Sequence, residues 1–494
     1  ERLFMSRDRF GIKPLYYTKL KGGDDSYAFA SEMKALMPLL DEVKPNLNLV
    51  TDREKIVYYE STSECVIEGI KRFPAGSFAY LDKNGLQIKR WWNTLDNLVT
   101  DSIPDSYEDQ VLQFRELFLD ACKLRMRADV TIGTALSGGL DSSSVICAMA
   151  HIASSGNESR MSKDWQHAYV ASFPGTTMDE THYAKMVTDH LGIPSTFVEI
   201  DPLKAIDRFD EMIYLFEDIY LTSPIPMMTL YGTLKKEGTT VTIDGHGADE
   251  LFGGYTFDFI HALKDAKNKA ERDMILNAYI DSFPKDGSNM ALKSTKKSQA
   301  YLNYLKRELK EKLKGEKNAF KKVRDADHPA YKGMDTLGKR LYASSHENIL
   351  PTLLRNYDRY SMANSVEIRM PFMDHRVVSY AMSTGFRSKL HGGYSKSIIR
   401  DAMAPFMPHE IAYRKTKIGF NSPIVEWMQG PLREYFLDMV SDEDFKQCML
   451  IDPSDVREKV KKVTDDKTAT VADGEIAFSA LYPYLWEKNV IKHK

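Results

Sequence analysis

The chain contains 494 residues, with 67 lysines and arginines against 70 aspartates and glutamates and a formal net charge of −3. This length predicts two or three domains, and the near-neutral charge argues against a nucleic-acid partner, because nucleic-acid-binding proteins usually carry a basic excess. No apolar run approaches the roughly 18 residues that cross a membrane, so we expect a soluble globular protein without a membrane partner.

The four cysteines, Cys65, Cys122, Cys147 and Cys448, are widely spaced and form no CxxC pair. This spacing fits neither a disulfide framework nor a zinc site. We therefore expect a reducing environment and a cytoplasmic location.

Residues 1–92 are predicted to form short strands and turns, and the polar stretch 93–104 is predicted to be a linker. A helix is expected to begin after Ser106, because a capping-box pattern there precedes apolar residues at helical spacing. Strands are then predicted at 130–136, 167–173, 196–200 and 239–243, separated by helices. This alternation predicts an α/β fold with a doubly wound parallel sheet, whose ligand site lies beyond the carboxyl ends of the strands.

The second domain is predicted to span 105–440, with a helical insertion at about 260–345 and a helical carboxyl-terminal extension at 441–494. The insertion is rich in Lys, Glu and Ala and low in Pro. Its charge run from Lys310 to Lys322 is interpreted as a solvated helix face rather than a phosphate site.

The segment Leu136–Ser143 (LSGGLDSS) follows a predicted strand and opens a helix. Glycines let backbone N–H groups approach an anion, the helix start adds donors and a partial positive charge, and a carboxylate there suits a phosphate-bridging Mg2+. The alternative is a Gly-Gly turn whose serines only cap the helix. The pattern is not Walker A, which requires GxxxxGK[ST]. The candidate anion-binding residues are Ser137, Gly138, Gly139, Ser142 and Ser143, with Asp141 as the candidate Mg2+ ligand.

A second glycine-rich segment, Asp244–Tyr255 (DGHGADELFGGY), directly follows the fourth predicted strand. It contains two acids, Asp249 and Glu250. Because the carboxyl ends of parallel strands meet at one edge of a sheet, a carboxylate here could share one Mg2+ with Asp141. The alternative is a plain surface turn.

These two segments, together with 350–363, 365–376 and 414–420, resemble the asparagine synthetase B family, and the first resembles the PP-loop of ATP pyrophosphatases. The resemblance covers about residues 105–430 and implies a PP-loop-type sheet, ATP as substrate and Mg2+ as cofactor. Arg355, Asp358 and Arg369 are interpreted equally well as structural ion pairs or substrate contacts. The resemblance implies that Ser137–Ser143 hold pyrophosphate, that Asp141 and Asp249 bind Mg2+, that Ala135, Ala171, Asp244 and Gly245 lie at the nucleotide, and that Lys417 neutralises charge at the adenylate.

One position departs from the family pattern. The family usually has Ser-Gly-Glu-Gly where this chain has Asp244-Gly245-His246-Gly247, and that Glu is associated with forming or aminating the aspartyl adenylate. A histidine can act as a base near neutral pH but supplies no fixed negative charge. We therefore predict a catalytic or substrate-contact role for His246, and the acceptor need not be aspartate.

The amino-terminal part, in the segments 7–17 and 29–36, resembles the later part of a class II glutaminase domain, an Ntn-type α+β fold. Such a domain uses an amino-terminal Cys with its own amine as base. The chain as given begins at Glu1 and looks truncated, so we expect glutaminase activity to require a missing upstream segment. Cys65 is a poor substitute, because it sits in a strand-like stretch without a terminal amine.

The sequence therefore predicts an ATP-dependent amide-forming ligase that adenylates a small-molecule carboxylate, releases pyrophosphate and uses ammonia, normally from glutamine. The alternatives are an intramolecular cyclase of the β-lactam synthetase or lasso-cyclase type, a sulfur-transferring tRNA enzyme, and a non-catalytic regulatory module. A tRNA enzyme is disfavoured by the lack of paired catalytic cysteines and of a basic excess. The oligomeric state is left open, with a homodimer as the candidate assembly.

Overall fold

The computed structural model describes residues 2–20, 26–52, 55–56, 59–155, 167–284, 296–299, 301–303, 305–306, 323–416, 418–419 and 421–493. The charge run from Lys310 to Lys322 lies outside these residues, and so does Lys417. No described helix has both the length and the apolar character needed to cross a lipid bilayer.

The amino-terminal part contains two small antiparallel sheets among its described residues. Their strands are β1 (Leu3–Ser6), β2 (Tyr16–Lys19), β3 (Tyr27–Ala30), β4 (Lys71–Arg72), β5 (Ser77–Asp82) and β6 (Gly85–Arg90). One sheet has the order β1-β5-β6 and the other has the order β3-β2-β4. The short strands and turns predicted for this part are thereby confirmed.

A five-stranded parallel sheet lies at the centre of the second part of the described chain. Its strands are β7 (Ile132–Ala135), β8 (His167–Ser172), β9 (Ser195–Glu199), β10 (Val241–Ile243) and β11 (Glu367–Arg369), and a separate antiparallel pair is formed by β12 (Leu390–His391) and β13 (Tyr394–Ser395). The order β11-β10-β7-β8-β9 runs outward from β7 in both directions. A topological switch point therefore lies between β7 and β10, where such sheets bind their ligands.

The prediction of a parallel sheet is confirmed, and β11 is a strand that the sequence analysis missed. The helix expected after Ser106 is also confirmed, since the Ser106 hydroxyl accepts a hydrogen bond from the Asp109 N–H at 3.1 Å. The described helices are α1 (Leu47–Val50), α2 (Tyr107–Arg125), α3 (Leu140–Ser154), α4 (Thr181–Leu191), α5 (Pro202–Ile206), α6 (Phe209–Phe216), α7 (Ile225–Lys236), α8 (Ala248–Phe252), α9 (Asp258–Asp265), α10 (Lys269–Asp281), α11 (Pro329–Gly333), α12 (Thr336–His346), α13 (Ile349–Met362), α14 (His375–Ser383), α15 (Phe386–Lys389), α16 (Ser397–Met403), α17 (His409–Ala412), α18 (Ile424–Gln429), α19 (Arg433–Met439), α20 (Glu443–Lys446), α21 (Pro453–Asp465) and α22 (Val471–Trp486), with 3-10 turns at Met37–Leu39, Tyr59–Ser61, Thr94–Asn97, Thr100–Ser102, Pro371–Met373 and Ala404–Phe406 and a π turn at Glu487–Ile491.

The predicted linker 93–104 contains two of these 3-10 turns, and it packs Leu95 into the core at 3% exposure. The carboxyl-terminal helices α21 and α22 pack against α18 rather than forming a separate body. At the end of α22 the Trp486 indole N–H donates to the Glu217 carbonyl at 3.0 Å, so this extension reaches the contact between the two main parts of the chain.

The amino-terminal part is joined to the second part through buried charges. The carboxylate of Glu217, which is fully buried, accepts hydrogen bonds from the backbone N–H groups of Met33 at 2.8 Å and Lys34 at 2.9 Å. The same carboxylate lies 2.7 Å from the Arg359 guanidinium. One side chain therefore holds a turn of the amino-terminal part against helix α13.

A second buried network lies beside the first. The Arg355 guanidinium is 2.5 Å from the Glu60 carboxylate and 2.9 Å from the Asp218 carboxylate, and Arg72 pairs with the same glutamate at 2.9 Å. Tyr59 donates to Asp218 at 2.5 Å. Because buried charges must be paired and hydrogen-bonded to be tolerated, these contacts fix how the two parts lie together.

Candidate active site

The segment between β7 and α3 forms a tight loop around its serines. The Ser142 hydroxyl lies 3.1 Å from the Ser137 hydroxyl and accepts the Ser137 backbone N–H at 3.2 Å. Gly138 has a φ of +73°, and a Cβ there would strike the backbone of the neighbouring helix α4. Gly139 has no side chain to cap α3, so the start of this helix can offer backbone donors to an anion.

The second loop touches the first through backbone atoms. A Cβ at Gly245 would lie 2.6 Å from both the Asp141 carbonyl carbon and the Ser142 backbone nitrogen, a separation that real Cβ atoms do not show. The absence of a side chain at Gly245 therefore allows the loops after β7 and β10 to meet at the switch point. The two glycine-rich segments form one site, as the parallel sheet predicted.

The carboxylates of Asp141 and Asp249 converge on a single point. The Lys396 ammonium group lies 2.6 and 2.7 Å from the two Asp141 oxygens and 2.5 Å from one Asp249 oxygen. Its side chain is only 4% exposed, whereas the two aspartates are 17% and 18% exposed. Each acid in the second loop has its own partner, since Glu250 accepts from Tyr255 instead.

In this structure the Lys396 ammonium group occupies the position between these two carboxylates. Both aspartates already face one positive charge, and Mg2+ in phosphate-transferring sites usually takes one or two carboxylates together with substrate phosphates. Within the described ranges, no group of three or more His, Cys, Asp or Glu side chains is arranged to hold a metal by itself. The Mg2+ site predicted at Asp141 and Asp249 therefore stays a prediction.

The carboxylate of Asp244 accepts hydrogen bonds from other residues of the protein. One oxygen accepts from the Ala135 backbone N–H at 2.9 Å, and the other accepts from the hydroxyls of Tyr231 at 2.9 Å and Thr242 at 3.0 Å. Burial raises the pKa of Asp244 to about 6. This side chain ties the ends of β7 and β10 together, and the Asp244 N–H donates to the Arg369 carbonyl at 2.9 Å, so the predicted nucleotide contact of Asp244 stays a prediction.

His246 lies beneath an aromatic ring. Its imidazole stacks on Tyr357 with the ring centroids 3.6 Å apart, and its Nε2 is 3.8 Å from an Asp244 carboxylate oxygen. Burial lowers the pKa of His246 to about 3, so the imidazole is neutral and a weak proton acceptor near pH 7. This environment argues against a base near neutral pH, and the predicted catalytic or substrate-contact role of His246 stays a prediction.

Three charged residues of the later motifs have structural partners. Arg355 belongs to the buried network described above, and Asp358 pairs with Lys13 at 2.9 Å. The Arg369 guanidinium donates to the backbone carbonyls of Arg125 and Arg127 and to Glu367. Of the two interpretations left open for these residues, the structure supports the structural ion pair.

Ala171 and Ser143 lie in the strand and the helix next to these loops. Ala171 is in β8, paired with Val198 of β9, and Ser143 is fully buried at the start of α3 with a hydroxyl that has no hydrogen-bond partner among the described residues. Lys417 lies outside the described residues, but the chain before it is anchored. The buried Arg400 donates to the carbonyls of Ala412 and Arg414 at 2.7 and 2.8 Å.

Two site residues were missed by the sequence analysis. Lys396 lies in the sequence Gly-Gly-Tyr-Ser-Lys, which carries no pattern of its own, and its φ of +52° is an uncommon left-handed conformation that only the fold reveals. Asn356 lies inside a recognised motif, next to Arg355, but nothing in the motif distinguishes it. It lines a cavity together with Tyr357.

A glycine-rich loop, two convergent carboxylates and a buried lysine thus meet at the switch point of the parallel sheet. The asparagine synthase family model matches residues 113–480, and a glutamine amidotransferase domain model matches residues 1–92. The chain belongs to the asparagine synthase family, and the resemblance drawn from the sequence is confirmed.

Curated relatives resemble the chain over most of its length. Asparagine synthetase [glutamine-hydrolyzing] 3 of Bacillus subtilis is 28% identical over 466 residues, which cover 91% of this chain and 70% of the relative. Amidase chry2 of Gibberella zeae is 24% identical over 509 residues, 92% of this chain and 72% of the relative. Asparagine synthetase B of Escherichia coli is 24% identical over 455 residues, 90% of this chain and 62% of the relative.

Proposed function

We propose that the protein is an ATP-dependent amide-forming ligase on a PP-loop-type sheet. In the first step an acceptor carboxylate attacks the α-phosphorus of ATP, which forms an acyl adenylate and releases pyrophosphate. In the second step ammonia, normally derived from glutamine, attacks the acyl carbon and AMP leaves. Membership of the asparagine synthase family supports this reaction class.

The observation that carries the proposal is the convergence of Asp141, Asp249 and Lys396 at the switch point. Nucleotidyl transfer is catalysed mainly by positioning and by positive charge at the developing negative charge. The start of α3 and its serines would hold the phosphates, and Lys396 would neutralise them. A Mg2+ held by Asp141 and Asp249 would supply further charge neutralisation, and Lys417 would act at the adenylate.

The acceptor is an aspartate or a related small carboxylate. Three relatives of similar sequence identity have different names, two being asparagine synthetases and one an amidase. Sequence identity therefore does not identify the acceptor. His246 stands where the family usually has a glutamate, and its neutral imidazole provides no negative charge near the adenylate.

The test is ATP–pyrophosphate exchange with a panel of carboxylates that includes aspartate, followed by AMP release when ammonium chloride is added. We expect at least one carboxylate to support exchange and Asp141→Ala to abolish it with every acceptor. Asp189→Ala, on the surface of α4 where Asp189 pairs with Lys185, is the matched control and should retain exchange. Retained exchange in Asp141→Ala would refute the assignment of this site, and a wild-type protein without any exchange would refute the reaction.

A further inference from the structure

A cavity of about 70 Å³ lies behind the stack of His246 on Tyr357. Its walls include Tyr220, Met227, Asn356 and Tyr357. Because one ordered water needs only about 10–15 Å³ of such space, the cavity can hold a small chemical group of several atoms.

Two lining residues connect the cavity to its surroundings: Tyr357 to the loop after β10, and Asn356 to the buried ion pairs through Arg355. Tyr357 is shared, since one ring both stacks on His246 and lines the cavity. His246 follows Gly245, which meets the phosphate loop at Asp141. A chain of contacts therefore runs from the phosphate loop through Gly245, His246 and Tyr357 to the cavity wall.

Asn356 has a fixed orientation in the cavity wall. It is 1% exposed, and its Oδ1 accepts two hydrogen bonds from the Arg355 guanidinium, at 3.1 Å from Nε and 2.9 Å from Nη2. A guanidinium has donors only, so the amide oxygen must face Arg355 and the amide nitrogen must face away. Nδ2 has no hydrogen-bond partner among the described residues, and Asn356 is one of the residues that line the cavity.

The described walls of the cavity are polar but uncharged. They contain tyrosine, serine, threonine and asparagine side chains together with apolar ones, and no Asp, Glu, Lys, Arg or His. Burial raises the pKa of Tyr220 to about 12 and raises the pKa of Tyr357 and Tyr360 well above their usual value, so these phenols stay neutral. An ionised group placed here would lose its hydration without gaining a charged partner.

We propose that the cavity holds the far end of the acceptor, and that Asn356 donates a hydrogen bond there to an uncharged oxygen such as an amide carbonyl, a ketone or a hydroxyl. Asn356 is then a specificity-determining residue, and the acceptors are carboxylic acids with a neutral, oxygen-bearing tail. This inference rests on the proposed ligase function. Aspartate, whose far end carries an ammonium and a carboxylate group, is a poor fit.

The deciding experiment measures ATP–pyrophosphate exchange, which does not involve ammonia, with succinamate, 4-oxopentanoate and aspartate as acceptors. We expect the neutral-tailed acids to exceed aspartate in kcat/KM by about tenfold or more, since a site with polar groups to satisfy discriminates strongly between ligands. Asn356→Asp keeps an oxygen toward Arg355 but replaces the cavity donor by an acceptor. It should raise the KM for the best acceptor about tenfold and leave the KM for ATP unchanged.

Asn348→Asp is the matched control, because Asn348 caps the start of the same helix with its side-chain oxygen, away from the cavity. If Asn356→Asp does not fold, as judged by its thermal transition, Met227→Phe decides the question by filling the cavity, and it should raise the acceptor KM in the same way.

Unchanged acceptor KM values in the variant that folds would overturn the inference, and so would a changed KM for ammonium with unchanged exchange, because the cavity would then serve the nitrogen donor. Exchange that prefers aspartate would overturn it as well. All of these outcomes leave the ligase function standing, whereas the absence of exchange with every carboxylate in the wild-type protein would remove both proposals.

Discussion

The imidazole of His246 lies nearly parallel to the phenol ring of Tyr357, with 19° between the ring planes and 3.6 Å between their centroids. The stack shields the imidazole from water, and this burial lowers the pKa of His246 to about 3. A residue that the sequence suggests as a base is therefore a neutral polar ring near pH 7. Its effect on stability follows from the same shift.

His246→Gln should remove a pH-dependent component of stability. In the unfolded chain a histidine binds a proton below about pH 6.5, whereas the folded His246 does not until about pH 3. The unfolding free energy of the wild-type protein should therefore fall with decreasing pH through this window, by up to about 1.4 kcal/mol per pH unit from this group. Urea denaturation at pH 7, 6 and 5 should show the wild-type protein losing stability faster than the variant.

The control for this comparison is His190→Gln, at an exposed position near the end of α4. It should leave the pH dependence of the wild-type protein in place. A difference between His246→Gln and the wild-type protein that stays constant from pH 7 to pH 5 would contradict the low pKa.

Lys396→Met should make the protein's stability depend more strongly on Mg2+. Without the ammonium group, Asp141 and Asp249 face one another across a position that has lost its positive charge. In EDTA we expect the variant to have a lower thermal midpoint than the wild-type protein. When Mg2+ is added, the midpoint of the variant should rise by more, because a divalent cation can then take the position that the ammonium group has left. Lys185→Met, which removes an exposed lysine, should respond to Mg2+ like the wild-type protein; an equal Mg2+ response in Lys396→Met would count against a cation site between the two aspartates.

Gly245→Ala should separate the two loops of the site. The added methyl group would lie 2.6 Å from backbone atoms of Asp141 and Ser142, and backbone cannot move aside as a flexible side chain can. We expect ATP–pyrophosphate exchange to fall by at least about tenfold, together with a lower thermal midpoint. Gly333→Ala is the matched control, since a Cβ at Gly333 meets nothing within 4 Å. Normal exchange in Gly245→Ala would mean that the close approach of the loops is not needed.

Arg355→Met should destabilise the whole chain. The variant removes the arginine that pairs with the buried Asp218 carboxylate and leaves Glu60 paired with Arg72, and breaking a buried pair in this way typically costs about 3–5 kcal/mol. Arg208→Gln breaks an exposed pair with Glu211 and should cost less than about 1 kcal/mol. Urea denaturation of both variants gives the comparison, and similar losses of stability would show that the buried network contributes little.

Much of the site could be predicted because its signals are local. Strands followed by glycine-rich loops mark β7 and β10, and parallel strands bring their carboxyl ends together, so the convergence of Asp141 and Asp249 follows from the sequence. Strand β11 was missed because it has only three residues, and the first and last of them are charged, so it forms no recognisable apolar run.

Other features depend on contacts between distant positions. Lys396 is 255 residues from Asp141, and no spacing rule connects them. The internal hydrogen bonds of Asp244 and the low pKa of His246 arise from burial, which a motif does not report. The proposed role of Asn356 in binding the acceptor depends on Arg355, which bonds the amide oxygen while the amide nitrogen has no partner among the described residues.

Glu217 bears on how the protein unfolds. Its carboxylate is inaccessible to solvent and takes both of its backbone donors, Met33 and Lys34, from the opposite part of the chain, while its own carbonyl is bonded by Trp486 near the other terminus. If the amino-terminal part separated from the second part, the Glu217 carboxylate would lose the two backbone N–H groups that bond it. Two family domains and a terminal extension, distinct in sequence, should therefore melt as one cooperative unit, with a single calorimetric transition.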